Sequence, residues 1–424
     1  MRVAGLPEPA RGPVPVRTVP RHGGSTPPVL IRNLYIHAPF CFRRCSYCDF
    51  AVTATREPPV AAWLDAIGSE LSWAAAGVRL ELDTLYVGGG TPSLLGAAGM
   101  RELGERLRPR AQWDEARIEW TAEANPESFG PELASAWRRT GVNRLSFGAQ
   151  TFDEAALRWM GRLHGPDGPL RAVAAARAAG FDDISLDLIF GLPARLGRDW
   201  AADLDRAIAL EPDHVSLYGL TAEPATPLGR WVAEGRERLA DEASYEEEYL
   251  LAAERLTGEG YEHYEVSNFA RPGRASRHNR SYWEGAPYLG LGPGAHSYLP
   301  PARRWNTRDW TEYRRRLESG APAVDGTEEV GEPEQRLERT WLGLRTSAGV
   351  QPDGPGQLRL AETWRRHGWA DPATDGRVRL TARGWLLLDR LAVDLDAASA
   401  AGADEKLDAR RGRRAHLRRA SGDF

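Results

Sequence analysis

Cysteine is scarce in this chain. Only three of its 424 residues are cysteine, and Cys41, Cys45 and Cys48 all lie within one short run. So few thiols exclude a disulfide framework, and their clustering points to metal ligation in a reducing compartment. Lysine is scarcer still: Lys406 stands alone among 55 basic residues. The rest are arginine, so a single arginine carries little weight as a functional sign. Neither sign of charge dominates, because 59 acidic residues bring the net charge to −4, which removes the global signature of a nucleic-acid binder. No run of about 18 apolar residues occurs, so no membrane span is expected. Repeats of fixed period are missing as well. What remains is 42% apolar sequence, enough for a sizeable core, at a length that suggests two or three domains. The expectation is a cytosolic multidomain globular protein.

Residues 1–32 hold seven prolines and four glycines without apolar periodicity, the composition of a disordered leader. From Asn33 to Leu220 short β-rich runs alternate with amphipathic stretches. The strand candidates are Leu34–His37, Thr84–Val87, Ile118–Ala122, Arg144–Phe147, Ile184–Phe190 and His214–Gly219. Helical patterns at Val60–Ala76, Gly99–Leu107, Pro131–Thr140, Leu170–Ala179 and Arg198–Leu210 lie between them. That alternation implies parallel crossovers. Six strands are too few to close an eight-stranded barrel, so the expected α/β fold is an open, partial (β/α)6 barrel with its function at the C-terminal strand ends. Residues 221–325 read as a charged helical segment followed, over 266–310, by a loop-like stretch rich in Gly, Pro and aromatics. Residues 326–396 have the helix, helix, hairpin, helix order of a winged-helix-like α+β module. From 397 to 424 the chain reads as a flexible basic tail, a solvated segment rather than a nucleic-acid contact.

The run from Tyr35 through Cys41-Phe-Arg-Arg-Cys45-Ser-Tyr-Cys48 to Phe50 is the most informative part. Three thiolates on one loop after the first strand suit a [4Fe–4S] cube with one iron left for a small chelating ligand. Zinc is the competing metal, with His37 as a fourth ligand. This Cys-x3-Cys-x2-Cys pattern resembles the radical S-adenosylmethionine superfamily. Gly88-Gly-Gly90-Thr91-Pro92, Glu123-Ala-Asn-Pro126, Ser146-Phe-Gly-Ala-Gln150 and Asp187-Leu-Ile-Phe-Gly-Leu-Pro193 narrow the likeness to the oxygen-independent coproporphyrinogen III oxidase group. The resemblance implies a barrel of the radical S-adenosylmethionine type. It also implies cluster ligation by Cys41, Cys45 and Cys48, and S-adenosylmethionine contacts at Tyr35, Gly89, Gly90, Thr91, Glu123, Gln150, Arg162 and Asp187.

Two features separate the branches of that group. The oxidase branch, which decarboxylates coproporphyrinogen III, carries another cysteine two positions past the third, where this chain has Phe50. The HemW-type haem-chaperone branch carries His-Asn-x-x-Tyr-Trp, matched here by His278, Asn279, Tyr282 and Trp283. The resemblance therefore implies a haem chaperone, with oxidase as the alternative. Its cofactors would be the [4Fe–4S] cluster, S-adenosylmethionine and haem. His278, Tyr282 and Trp283 would be haem contacts on a loop, with His296 and His37 next in line as haem contacts. The implied partners are haem and a haem-acceptor protein, respiratory and membrane-associated, with no nucleic acid and no stable membrane insertion. A homodimer is compatible with this reading, and the expected location is cytoplasmic.

Overall fold

The structure, a computed structural model, describes residues 28–371 and 375–398. The chain divides into two compact units. The first takes in the chain up to His263 with Ser267–Tyr282 and Ala286–Val330, and the second takes in Tyr264–Val266, Trp283–Gly285 and the chain from Gly331.

The first unit is built on parallel strands β1 (Val29–Ala38), β2 (Val78–Gly89), β3 (Glu119–Ala124), β4 (Arg144–Gln150), β5 (Ile184–Phe190) and β6 (His214–Gly219). They lie side by side in that order, with short β7 (Asn268–Ala270) antiparallel beyond β6. On the other side β1 pairs in parallel with β8 (Tyr288–Leu291), and antiparallel β9 (His296–Leu299), β10 (Ala302–Asn306) and β11 (Val324–Glu329) follow. The sheet thus continues past β1 instead of joining β1 to β6, which leaves the barrel open.

One face of each strand is fully buried: Leu34, Ile36, Leu85, Val87, Ala122, Leu186 and Leu188 all show no exposure. Period-2 alternation puts Tyr35, Tyr86, Glu123 and Asp187 on the opposite, concave face, where each keeps partial exposure. The apolar face packs on crossover helices. In α1 (Val60–Ala74) the residues Trp63, Leu64, Ile67, Leu71 and Ala74 form one buried stripe at helical spacing. Helix α2 spans Gly96–Leu107, and α3 (Pro131–Thr140) starts on a proline and ends at Gly141, whose φ of 113° suits only glycine. Asp153 and Asp199 cap α4 (Glu154–Met160) and α6 (Trp200–Ala209) by accepting from Ala156 and Ala202 N–H, each worth about 1 kcal/mol. Helices α5 (Gly168–Ala178), α7 (Pro227–Ala233), α8 (Glu242–Gly258), α9 (Arg277–Trp283) and α10 (Trp310–Glu318) complete this unit's set.

In the second unit α11 (Glu332–Arg345) and α12 (Pro355–Arg366) precede the antiparallel pair β12 (Ala370–Asp371) and β13 (Arg379–Leu380). Thr381 then caps α13 (Ala382–Trp385), and 388–398 is helical. Leu344, Trp364, Val378, Leu380, Trp385 and Leu391 share its core. Glu265 belongs to this unit and pairs with Arg345 at 2.8 Å.

Several boundaries differ from the sequence reading. Strand β1 begins at Val29, inside the stretch assigned to the leader, and the leader's residues 1–27 lie outside the described residues. Residues 266–310 are not loop-like, since β7, α9, β8, β9 and β10 fall there. Gly326, taken as the first residue of the C-terminal module, sits in β11 of the large sheet. Of the tail, 397–398 are helical and the remainder lies outside the described residues. No helix among the described residues is long and apolar enough to cross a membrane.

Candidate functional site

The register of the strands arranges the concave face in layers. Asn33, Thr84 and Glu119 share one layer, and Tyr35, Tyr86 and Thr121 share the next. His37 and Gly88 form a third, level with Glu123, Ser146, Ser185 and His214 following in register across β4–β6. The cysteine loop leaves β1 just beyond this third layer, at the C-terminal ends of the strands.

Cys41, Cys45 and Cys48 are all free and partly buried. Burial pushes the Cys41 thiol up to about 12 and raises Cys48 as well. Polar donors reach two of the sulfurs: the Thr91 hydroxyl lies 3.4 Å from Cys41 Sγ and Arg162 Nη1 4.0 Å from Cys45 Sγ. The loop is anchored on several sides. Thr53 and Thr55 N–H donate to Pro39 O and Cys41 O, and Ser46 exchanges backbone bonds with Met160 and Leu228. Tyr47 packs among Met160, Leu192 and Leu228, so one of the two residues between the second and third cysteines is a hydrophobic peg. Phe50 is 47% exposed.

His37 is unsuited to zinc. Ala51 O can only accept, so Nε2–H donates to it (2.8 Å) and Nδ1 accepts from the Tyr35 hydroxyl (2.9 Å). Both nitrogens are occupied, and burial holds the imidazole neutral, down to about 4. Among the described residues no three His, Cys, Asp or Glu converge on a single-ion site.

The glycine motif has its reasons inside the protein. A Cβ on Gly89, at φ 111°, would stand 2.4 Å from the His37 ring, and one on Gly90 would stand 2.7 Å from Phe40 O. One on Gly88 would strike Tyr86 and the Glu123 carboxylate at 2.8–2.9 Å. Close packing of β2 on β1 and β3 therefore demands glycine here whatever ligand is bound. Glu123 takes Tyr86 O–H on Oε1 (2.8 Å) and Gly89 N–H on Oε2 (2.9 Å).

Asn125 is the hub that the sequence reading left unassigned. Its Nδ2 donates to Thr91 (3.1 Å) and its Oδ1 accepts from Arg162 Nη2 (2.8 Å), which also donates to Gly148 O (2.6 Å). Arg162 joins the cysteine loop, β3 and β4, a role that a planar fork fills and an ammonium does not. Gln150 adopts φ 67°, rare for a side-chain-bearing residue, and its buried Oε1 has no partner. Strain and an unsatisfied acceptor thus coincide at this strand end. Asp187 is pushed up to about 6 by burial and by the neighbouring Glu123 charge, against hydrogen bonds from Ser216 and Ser146. Tyr35, Glu123, Gln150, Arg162, Asp187 and Thr91 thus gather at one mouth. Tyr86 and Asn125 belong with them, and the signal for Tyr86 was its place two residues before Gly88 on an alternating strand.

His278 is elsewhere. It lies on helix α9, not on a loop, and is 1% exposed. The Thr84 hydroxyl donates to Asn33 Oδ1 (3.0 Å), so it accepts from His278 Nδ1 (2.7 Å), and Nε2 accepts from the Tyr282 hydroxyl (2.8 Å). Glu119 receives the N–H groups of Arg277 and His278 at 2.8 and 2.9 Å. Thr84 is four residues before Gly88, about 13 Å along the strand, so the helix packs against the end of the concave face away from the cysteines. The Tyr86 ring, 5.1 Å from His278 and 6.0 Å from Tyr35, bridges the two levels. Trp283 belongs to the second unit, with the Arg345 guanidinium 4.1 Å over its ring. His296 is exposed on β9, its ring centroid 6.0 Å from that of Trp305.

Known proteins share this organisation. The profile of the Radical SAM superfamily matches residues 35–207. A protein of Mycobacterium tuberculosis named heme chaperone HemW is 37% identical over 84% of this chain and 93% of its own length. The Bacillus subtilis protein of the same name is 35% identical over 79% of this chain and 88% of its own. Among solved structures, coproporphyrinogen III oxidase (HemN) from Escherichia coli, described as a radical SAM enzyme, superposes with a TM-score of 0.73. It covers 87% of this chain and 90% of its own at 23% identity, a likeness of fold alone.

Proposed function

This chain belongs to the HemW family of radical S-adenosylmethionine proteins, and on that premise we propose that it is a haem chaperone, binding haem and passing it to an acceptor protein. The observation that carries the reading is the 37% identity to a named haem chaperone across nearly that protein's whole length. Phe50 supports it, because it stands where the oxidase branch places a further cysteine.

Three cysteines on one loop, two of them within reach of polar donors, fit a [4Fe–4S] cluster held by Cys41, Cys45 and Cys48. A half-accessible concave face with an unpartnered Gln150 Oε1 and a partly exposed Asp187 fits S-adenosylmethionine beside it. When bound, the cluster and S-adenosylmethionine together supply one-electron chemistry. The chain's own residues hold the pieces in place. Arg162 offers a cation beside Cys45, and Asn125 fixes that guanidinium. Glu123 is committed to Tyr86 and Gly89, so it orients the glycine turn. Asp187 is the carboxylate with a proton to exchange near neutral pH. Tyr35 acts through His37 on the loop carbonyl at Ala51.

His278 does not fit an axial haem ligand, because coordination through either ring nitrogen would displace the Thr84 or the Tyr282 hydroxyl inside a closed core. It and Tyr282 serve instead as the floor under Tyr86. The acceptor is a haem-binding protein, and the site of action is the cytoplasm. Anaerobic reconstitution followed by haem titration, with a parallel assay on coproporphyrinogen III, tests the reading. Haem binding without conversion of the porphyrinogen is expected, and conversion without haem binding would make the chain an oxidase.

A further inference from the structure

Two of the cysteine sulfurs receive a hydrogen-bond donor, and both donors meet on one side chain. The Thr91 hydroxyl lies 3.4 Å from Cys41 Sγ, and Arg162 Nη1 lies 4.0 Å from Cys45 Sγ. Asn125 touches each donor residue, with Nδ2 3.1 Å from Thr91 Oγ1 and Oδ1 2.8 Å from Arg162 Nη2.

The sense of each bond follows from the groups themselves. A guanidinium only donates, so the Asn125 atom facing Arg162 is its carbonyl oxygen and the atom facing Thr91 is its amide nitrogen. That nitrogen also only donates. Thr91 Oγ1 therefore accepts from Asn125, and its own proton is left to point at Cys41 Sγ. Asn125 thus directs the Thr91–Cys41 bond without touching the sulfur.

Both ends of this relay are held in place. Asn125 precedes Pro126 and is extended, at φ −90° and ψ 138°, as the residue before a proline prefers. Its carbonyl takes the Ser128 N–H at 3.0 Å. Arg162 Nη2 gives its second proton to Gly148 O at 2.6 Å, and Nε donates to His164 Nε2 at 3.3 Å. With the contact to Cys45, four of the five N–H groups of the guanidinium are engaged. At 4.0 Å that last contact is long, so Arg162 acts on the sulfur chiefly as a fixed positive charge. Hydrogen bonds and positive charge at ligand sulfurs favour the reduced, more negative form of an iron–sulfur cluster and so raise its potential.

We propose that Asn125 is a positioning residue that raises the reduction potential of a cluster on Cys41, Cys45 and Cys48, by aiming the Thr91 hydroxyl at one sulfur and fixing Arg162 beside another. This role rests on the cluster reading and adds to it what sets the cluster's affinity for an electron.

The test is an anaerobic potentiometric titration of the reconstituted full chain, read by paramagnetic resonance of the reduced cluster with S-adenosylmethionine left out. Asn125→Ala should make one-electron reduction about tenfold less favourable, a fall of about 59 mV in the midpoint. Asn125→Asp keeps the shape and the bond to Arg162 but cannot donate to Thr91, whose proton turns to the carboxylate, so its midpoint should fall too. Thr91→Val should lower the midpoint, whereas Thr91→Ser, which retains the hydroxyl, should stay near the unsubstituted protein. Because Asn125 acts in part through Thr91, the double variant of Asn125→Ala with Thr91→Val should shift by less than the sum of the single shifts. Iron content and circular dichroism separate these shifts from loss of the cluster or of the fold. Unchanged midpoints in Asn125→Ala and Asn125→Asp would overturn the role, as would strictly additive shifts in the double variant. If the Asn125 variants assemble no cluster, an unchanged midpoint in Thr91→Val overturns it alone, and a fall there that Thr91→Ser does not share sustains it. An unsubstituted protein that assembles no four-iron cluster would sink the cluster reading and the role with it, an outcome distinct from a cluster whose midpoint ignores Asn125.

Discussion

The His37 imidazole fills the space that any side chain on residue 89 would need, leaving 2.4 Å between the ring and a Cβ. His37 is itself tied to Ala51 of the cysteine loop, so the glycine turn after β2 and the loop after β1 are one packing unit.

Gly89→Ala should consequently disturb both. The positive φ and the clash with a ring that has little room to move should cost about 2–4 kcal/mol. A lower urea midpoint and lower iron retention after reconstitution check this, and an unchanged iron content would break the link to His37.

Cys45→Ser should remove the cluster's absorption and its iron while far-ultraviolet circular dichroism stays the same. A full four-iron complement in that variant would exclude Cys45 as a ligand.

Arg162→Lys keeps the charge but cannot bridge Asn125 Oδ1 and Gly148 O together. Its reduced cluster should show a paramagnetic resonance signal that responds weakly to S-adenosylmethionine, where the unsubstituted protein responds strongly. Equal responses would remove Arg162 from the site.

Asp187 has a folded-state value of about 6, above its ordinary carboxylate value. The native state therefore holds its proton longer than the unfolded chain, and stability should fall as pH rises from about 4 to 6, then level off. The loss is of order 2 kcal/mol after allowance for solvent screening. Asp187→Asn should flatten that slope. S-adenosylmethionine affinity should rise through the same window as the carboxylate ionises, and a pH-independent affinity would show that Asp187 makes no contact.

His278→Ala would open a cavity and take one hydrogen-bond partner from each of the hydroxyls of Thr84 and Tyr282. It should destabilise the protein by about 3–5 kcal/mol in urea. The folded fraction should retain its hemin affinity, and a selective loss of hemin binding would reinstate His278 as a ligand.

Much of the barrel was legible in the chain. The bounds of β5, β6 and α3 are those that periodicity, a leading proline and a trailing glycine indicate. The first strand was read short because the prolines before it hid Val29–Arg32. The extension was read as loop because strands of three to five residues, separated by Gly and Pro, show neither helical nor strand period. Pairing with distant strands, not local preference, makes them β-structure.

By itself the sequence determined the cysteine triad, the alternation that builds a parallel sheet, and the motifs that mark the family. Those are matters of spacing along the chain, and spacing survives without a fold. Only the tertiary structure decided which histidine is sealed and which is exposed, and that the triple glycine serves its own neighbours. His278 meets Thr84 across 194 residues and Glu119 across 159. A polar group's availability depends on the partners that folding brings to it, and distances of that length leave no trace in local sequence.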